Sequence, residues 1–171
     1  MIIKTIKVGY LQTNCYILIK DKDALIIDPG DEYEKIKKEI ENLNVKAILI
    51  THHHFDHVGA LEYFKNIEII DYKSELKQYK INNFEFEMLE TKGHTDDSVS
   101  FYFKKENIMF VGDFVFKESI GRTDLETGNN EKMKNSIERL KTYPIETKLY
   151  PGHGEETTLE YELKYNPFFW K

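Results

Sequence analysis

Thr51-His52-His53-His54-Phe55-Asp56-His57 holds four of the six histidines in the chain. It begins where a buried strand-like run, Val45–Ile50, ends. Side chains alternate along a strand, so an extended backbone would point His52 and His54 to one side and His53 to the other. The chain then turns toward a helix expected over Val58–Phe64, which brings Asp56 and His57 in from another direction. Imidazole and carboxylate are ligands for zinc or iron, and two imidazoles on one side make half a tetrahedral site. His53 reads as a bystander, turned away by the alternation.

The same design recurs downstream. Phe84–Leu89 leads to Gly93-His94-Thr95, Ile108–Val111 leads to Gly112-Asp113, and Leu149-Tyr150 leads to Pro151-Gly152-His153-Gly154. Each candidate ligand follows a strand-like run and sits in a glycine-containing loop, where glycine lets the backbone turn without a side chain obstructing the site. Residues leaving the same ends of neighbouring strands converge although they are distant in sequence. The candidate set is His52, His54, Asp56, His57, His94, Asp113 and His153, enough for two adjacent metal ions.

Between these loops, β-branched and aromatic runs alternate with helical patterns. Further strands are expected at Ile2–Val8, Cys15–Ile19, Ala24–Ile27, Ile67–Ile70, Val99–Phe103 and Lys148–Tyr150. Asp31 is placed to cap a helix carrying Ile36, Ile40 and Leu43 on one face, and Asn129 or Asn130 one carrying Met133, Ile137 and Leu140. Thr157 is placed to cap a short helix with Leu159 and Leu163 that Pro167 stops. Cys15 lies in an apolar run and reads as a buried, inert thiol. Phe168, Phe169 and Trp170 are expected to pack the tail onto the body.

The pattern His52-x-His54-x-Asp56-His57, then His94, Asp113 and His153, resembles the metallo-β-lactamase-fold hydrolases, and within them the glyoxalase II group of thioesterases. Asn14-Cys15-Tyr16, Ile27-Asp28-Pro29-Gly30, Gly121-Arg122-Thr123-Asp124 and Tyr150–Pro167 extend the resemblance over nearly the whole chain. Its last part looks like a small, single-domain branch often called hydroxyacylglutathione hydrolase. The resemblance implies an α/β fold, a four-layer αβ/βα sandwich with metals at one edge, formed as one domain over residues 1–171. It implies that His52, His54 and His94 hold one metal and Asp56, His57 and His153 a second, with Asp113 bridging. Asp28 would lie close behind the ligands and fix their orientation. The chain departs from the family pattern at Lys92 and at Asp96-Asp97, which adds negative charge at the rim of the site. It also reaches Lys171 without the helical, glutathione-gripping domain of glyoxalase II proper.

The composition narrows the function. With 24 Lys plus Arg against 30 Asp plus Glu, the formal charge is −6, which argues against nucleic-acid binding as the main activity. A single cysteine cannot form an intrachain disulfide or a thiolate cage. No signal peptide or membrane span is visible, so a cytoplasmic location is expected. The expected activity is metal-dependent hydrolysis of a small-molecule acyl thioester, using two divalent ions, zinc first and iron second. Asp56 is both ligand and candidate catalytic group, and Arg122 is a candidate receptor for a substrate carboxylate. The alternatives are a persulfide dioxygenase with a single Fe(II), or a hydrolase of another ester or lactone.

Overall fold

The computed structural model describes residues 1–170. The chain first lays down β1 (Ile2–Val8), β2 (Thr13–Lys20) and β3 (Asp23–Ile27), then α1 (Tyr33–Ile40) and β4 (Asn44–Leu49). After α2 (Phe55–Val58) and a 3-10 turn at Leu61–Tyr63, β5 (Glu68–Ile70) completes a five-stranded sheet in the order β1-β2-β3-β4-β5. The chain continues through β6 (Gln78–Ile81), β7 (Phe84–Glu90), β8 (Val99–Phe103) and β9 (Ile108–Gly112), then a small hairpin of β10 (Val115–Phe116) and β11 (Ser119–Ile120). After α3 (Asn130–Leu140), β12 (Lys148–Pro151) and β13 (Thr157–Thr158) finish a six-stranded sheet, and α4 (Leu159–Tyr165) and a 3-10 turn at Pro167–Trp170 follow.

Strand alternation builds three apolar layers from these two sheets. In β2, Tyr16 and Leu18 face the second sheet, where they meet Phe84, Phe86, Phe101 and Phe110. Cys15, Ile17 and Ile19 face the other way, onto Ile36 of α1. On the far side of the second sheet, Met109, Val111 and Leu149 pack against Met133, Ile137 and Leu140 of α3 and Leu159 of α4. Helices therefore cover the outer face of each sheet, and the result is the αβ/βα sandwich. Parallel pairs need long crossovers, and α1 and α3 lie in the crossovers between β3 and β4 and between β9 and β12.

Local details differ from the sequence reading for identifiable reasons. Asp31 does not cap α1; its Oδ1 accepts from the Glu32 amide, and Glu32 precedes the helix in a left-handed conformation with no side-chain cap. The helix expected over Val58–Phe64 is instead α2 plus a 3-10 turn, because the Ala60 amide is diverted to Pro29 O at 3.0 Å. Thr158, not Thr157, caps α4 by accepting from the Tyr161 amide at 3.2 Å, while Thr157 Oγ1 donates to buried Glu162 at 2.5 Å. Asn129 caps α3 as expected, accepting from the Lys132 amide at 2.9 Å. In the tail Phe169 is buried, whereas Trp170 is 63% exposed. No helix among the described residues is long and apolar enough to cross a membrane.

Candidate metal centre

The strand ends position the site. Asp28 follows β3, the Thr51–His57 segment follows β4, His94 follows β7, Asp113 follows β9 and His153 follows β12. All seven predicted ligand residues meet at this edge. The donor atoms of His52, His54 and His94 lie within 4.8 Å of one another, as do those of Asp56, His57 and His153 and those of His52, His57 and Asp113. His54 Nδ1 is 3.2 Å from His52 Nε2 and 3.0 Å from His94 Nε2. A tetrahedral zinc with Zn–N of about 2.0–2.1 Å sets its ligand atoms roughly 3.3 Å apart, so this trio is close to the spacing an ion imposes.

Outer hydrogen bonds decide which ring nitrogen faces the centre. Thr51 Oγ1 donates to Asp28 Oδ2 at 2.6 Å, so His52 Nδ1, 3.1 Å from that hydroxyl, must be its donor. His94 Nδ1 donates to Arg122 O at 2.8 Å, His57 Nδ1 to Asp28 Oδ2 at 2.8 Å and His153 Nδ1 to Leu11 O at 3.2 Å. A neutral imidazole that donates from Nδ1 keeps a lone pair at Nε2, and in all four rings Nε2 points at the cluster. Asp113 reaches both trios: Oδ2 is 3.6 Å from His94 Nε2 and 3.5 Å from His153 Nε2.

Two buried atoms in the middle of this arrangement, His57 Nε2 and Asp113 Oδ1, have no hydrogen-bond partner and face each other at 3.4 Å. Buried polar atoms are rarely left this way. A divalent cation is the partner that an imidazole lone pair and a carboxylate oxygen both accept, so the residues fit a metal.

The charge balance agrees. Burial would lower the pKa of His57, but the Asp28 carboxylate, the charge of Asp113 facing it at 3.4 Å and the hydrogen bond to Asp28 raise it to about 10. Burial likewise opposes protonation of His153, yet Asp113 and Asp56 lift it to about 9. Without metal, these two rings hold protons where a cation would otherwise sit. Burial and the neighbouring His57 charge keep His52 well below the ordinary histidine range. Burial would raise the pKa of Asp56, but His153, His57 and Thr13 together hold it far below the usual carboxylate value.

Glycine is required at two points. Gly112 has φ +52°, and a Cβ there would overlap Thr51 Oγ1. A Cβ at Gly152 would overlap Asp113 Oδ1 and lie 2.6 Å from His57 Cε1. Sequence reasoning missed two threonines that shape the centre. Thr13 Oγ1 donates to Asp56 Oδ2 at 2.8 Å, and Thr51 engages both oxygens of Asp28, its amide donating to Oδ1 at 2.8 Å. Their sequence signal is a hydroxyl at the end of an otherwise apolar strand. Arg122 contributes its carbonyl to His94, while its side chain forms a two-point pair with Asp124 at 2.7 and 2.8 Å. Asp97 is not a free rim charge; it binds the His53 amide and imidazole at 3.1 and 2.8 Å.

A family profile described as the Metallo-beta-lactamase superfamily matches residues 8–75 and 68–153. The hydroxyacylglutathione hydrolase GloC of Haemophilus influenzae is 34% identical, covering 98% of each chain. Among solved structures, the BLEG-1 B3 metallo-beta-lactamase superposes with a TM-score of 0.95 at 32% identity, over 99% of this chain and 100% of that one. The protein TTHA1623, solved in a di-iron-bound form, gives 0.87 at 31% identity, over 96% and 99%. Sequence, sandwich architecture and the clusters of histidine and aspartate that could hold a metal agree, and this chain belongs to the metallo-beta-lactamase superfamily as one of its metallo-hydrolases.

Proposed function

We propose that this protein is a thioesterase that binds two divalent ions, zinc or iron, and hydrolyses small acyl thioesters in the cytoplasm. The observation that carries the reading is the facing pair of His57 Nε2 and Asp113 Oδ1, both buried and partnerless, between two trios of donor atoms. In this reading His52, His54 and His94 hold one ion and Asp56, His57 and His153 the other, with Asp113 shared. When bound, such ions supply Lewis acidity and draw the pKa of water from 15.7 down to about 7, which makes hydroxide available at neutral pH.

The chain's own groups do the positioning. Asp56 Oδ2, held by Thr13 Oγ1 at 2.8 Å, orients the water that attacks the acyl carbon. Asp28 keeps His57 in the tautomer with Nε2 open. A thioester suits this centre because a thiolate leaves without a proton from the protein, and every acidic side chain in the cluster is committed as a ligand. The relative named hydroxyacylglutathione hydrolase supports the same substrate class. Arg122 receives a substrate carboxylate by exchanging it for Asp124.

The test is a substrate panel on chelator-stripped protein reloaded with zinc or with iron. S-Lactoylglutathione, other acyl thioesters, a lactone and a β-lactam are assayed for hydrolysis, and glutathione persulfide for oxygen consumption. Thioester turnover should return with metal and vanish in Asp113→Ala together with part of the metal content. Oxygen uptake by iron-loaded protein without thioester turnover would replace this reading with a dioxygenase.

A further inference from the structure

His53 stands between two candidate ligands, yet its ring turns away from the metal centre and is fixed at both nitrogens. Nδ1 is 2.8 Å from Asp97 Oδ2, and Nε2 is 3.2 Å from Asp71 Oδ2. Its backbone amide also donates to Asp97 Oδ2 at 3.1 Å. The two carboxylates are themselves anchored. Asp97 Oδ1 accepts from Thr95 Oγ1 at 2.6 Å, and Asp71 Oδ1 accepts from the Lys73 amide at 2.9 Å. The edge of the ring meets Tyr72 at 5.2 Å between centroids.

These contacts join three segments. The first carries His52 and His54, the second carries His94 three residues before Asp97, and the third is the end of β5. The backbones of the first two are joined at Val99 N to Thr51 O, 2.8 Å, and beyond that point His53 carries the connection. In the trio of His52, His54 and His94, His54 Nδ1 already lies 3.2 Å from His52 Nε2 and 3.0 Å from His94 Nε2. Asp56 and His153 of the other trio are positioned by α2 and the end of β12, and Thr13 and Leu11 brace them from the β1–β2 side.

We propose that His53 is a positioning residue that clamps the two loops bearing His52, His54 and His94, so that this trio, and not the trio of Asp56, His57 and His153, depends on it for metal affinity. The inference rests on the metal-binding reading given above. Partners outside the ligand set typically change metal affinity by about 10–100-fold. A clamp confined to two loops should act on one site selectively, whereas a general loss of structure would weaken both.

The experiment measures zinc affinity by competition with a chromophoric chelator in two full-length backgrounds. His153→Ala leaves the first trio intact, and His54→Ala damages it. Adding His53→Ala should weaken zinc binding by about 10–100-fold in the first background and by less than about threefold in the second. Asp97→Ala should reproduce the first loss, and the double variant should lose no more than either single one, as expected for residues acting through one contact. If His53→Ala does not fold, Asp97→Ala carries the same comparison. Equal losses in both backgrounds, or none in the first, overturn the clamp while leaving the metal reading standing. No zinc binding in either background overturns both.

Discussion

Asp28 Oδ2 accepts a hydrogen bond from His57 Nδ1 at 2.8 Å, and both residues are almost completely excluded from water. Asp28 adopts φ +50° to make this contact, in the left-handed region that aspartate tolerates better than most residues. The carboxylate is full: Thr51 supplies its amide and hydroxyl to the same group. One side chain thus fixes the His57 tautomer and, through Thr51 Oγ1, that of His52.

Replacing Asp28 should therefore be felt through metal before it is felt in turnover. Asp28→Ala should weaken metal binding by about 10–100-fold and leave His57 free to protonate the wrong nitrogen. Activity should fall steeply at limiting metal and recover in part when metal is added in excess. Titrations of activity and of bound metal, run in parallel, check this. An affinity equal to the unaltered protein's would remove Asp28 from the centre.

Gly152 offers a test in which nothing is taken away. Gly152→Ala adds one methyl group, aimed at Asp113 Oδ1 and His57 Cε1. The strand ends around it are held by many other contacts, so the secondary structure should persist. Bound metal should nevertheless fall below that of the unaltered protein, because two candidate ligands are pushed from their places. Metal analysis beside circular dichroism measures both quantities, and full metal content in a folded variant would contradict the packing argument.

The metal-free protein should be most stable near neutral pH. His57 and His153 have folded pKa values raised to about 10 and about 9 from an ordinary 6.5. The stability they contribute is complete below pH 6.5 and is lost as pH rises through the range 9–10. His52 and His54 are shifted down, so their contribution is present above pH 6.5 and is lost as pH falls through their folded values. Melting of chelator-treated protein across pH 5–10 should trace a bell. Zinc uptake at pH 7.5 should release up to about two protons, from His57 and His153, since bound imidazoles must be neutral at Nε2. Calorimetry in buffers of different ionisation enthalpy counts them, and a count near zero would mean that those rings are already neutral.

Glu162 separates stability from function. Its carboxylate is fully buried and receives Thr157 Oγ1, the Glu118 amide and Asn166 Nδ2 at 2.5, 2.9 and 2.8 Å. Glu162→Ala strands three donors and opens a cavity between α4 and the β10–β11 hairpin. A loss of about 3 kcal/mol, or roughly 6–12 °C in melting temperature, is expected for a chain of this size. Metal stoichiometry should not change. A variant as stable as the parent would show that the donors find other partners.

The legible part of the sequence was the part written as a repeated rule. Apolar runs leading into a histidine or aspartate, with a glycine beside it in the last three, marked the ends of β4, β7, β9 and β12, and those ends meet. What escaped notice had weak local signals. Gln78–Ile81 is an edge strand with alternating exposure and no apolar run, and β10, β11 and β13 are two residues each. The cap of α4 slipped by a residue because Thr157 and Thr158 were equally suited and the contact of Thr157 with Glu162 chose between them, while α1 begins after Glu32 with no side-chain cap. The Asp97 contact with His53 links positions separated by 44 residues, so no spacing argument within either loop could find it.

Arg122 is the point where substrate identity becomes measurable. Its side chain is 63% exposed and forms a two-point pair with Asp124, while its carbonyl orients His94. If the side chain receives a substrate carboxylate, Asp124 competes for the same fork of donors. Arg122→Gln should then raise KM for thioesters whose thiol carries a carboxylate and leave kcat little changed, since the carbonyl is kept. Asp124→Asn should do the opposite and lower KM for those substrates by releasing the guanidinium. Neutral thioesters of the same acyl group should respond to neither change. Exposed pairs of this kind are weak, so the shift expected from Asp124→Asn is small. Opposite signs for the two variants are what a competing pair requires; equal increases in KM would instead show that Arg122 and Asp124 act together to shape the loop that carries the His94 contact.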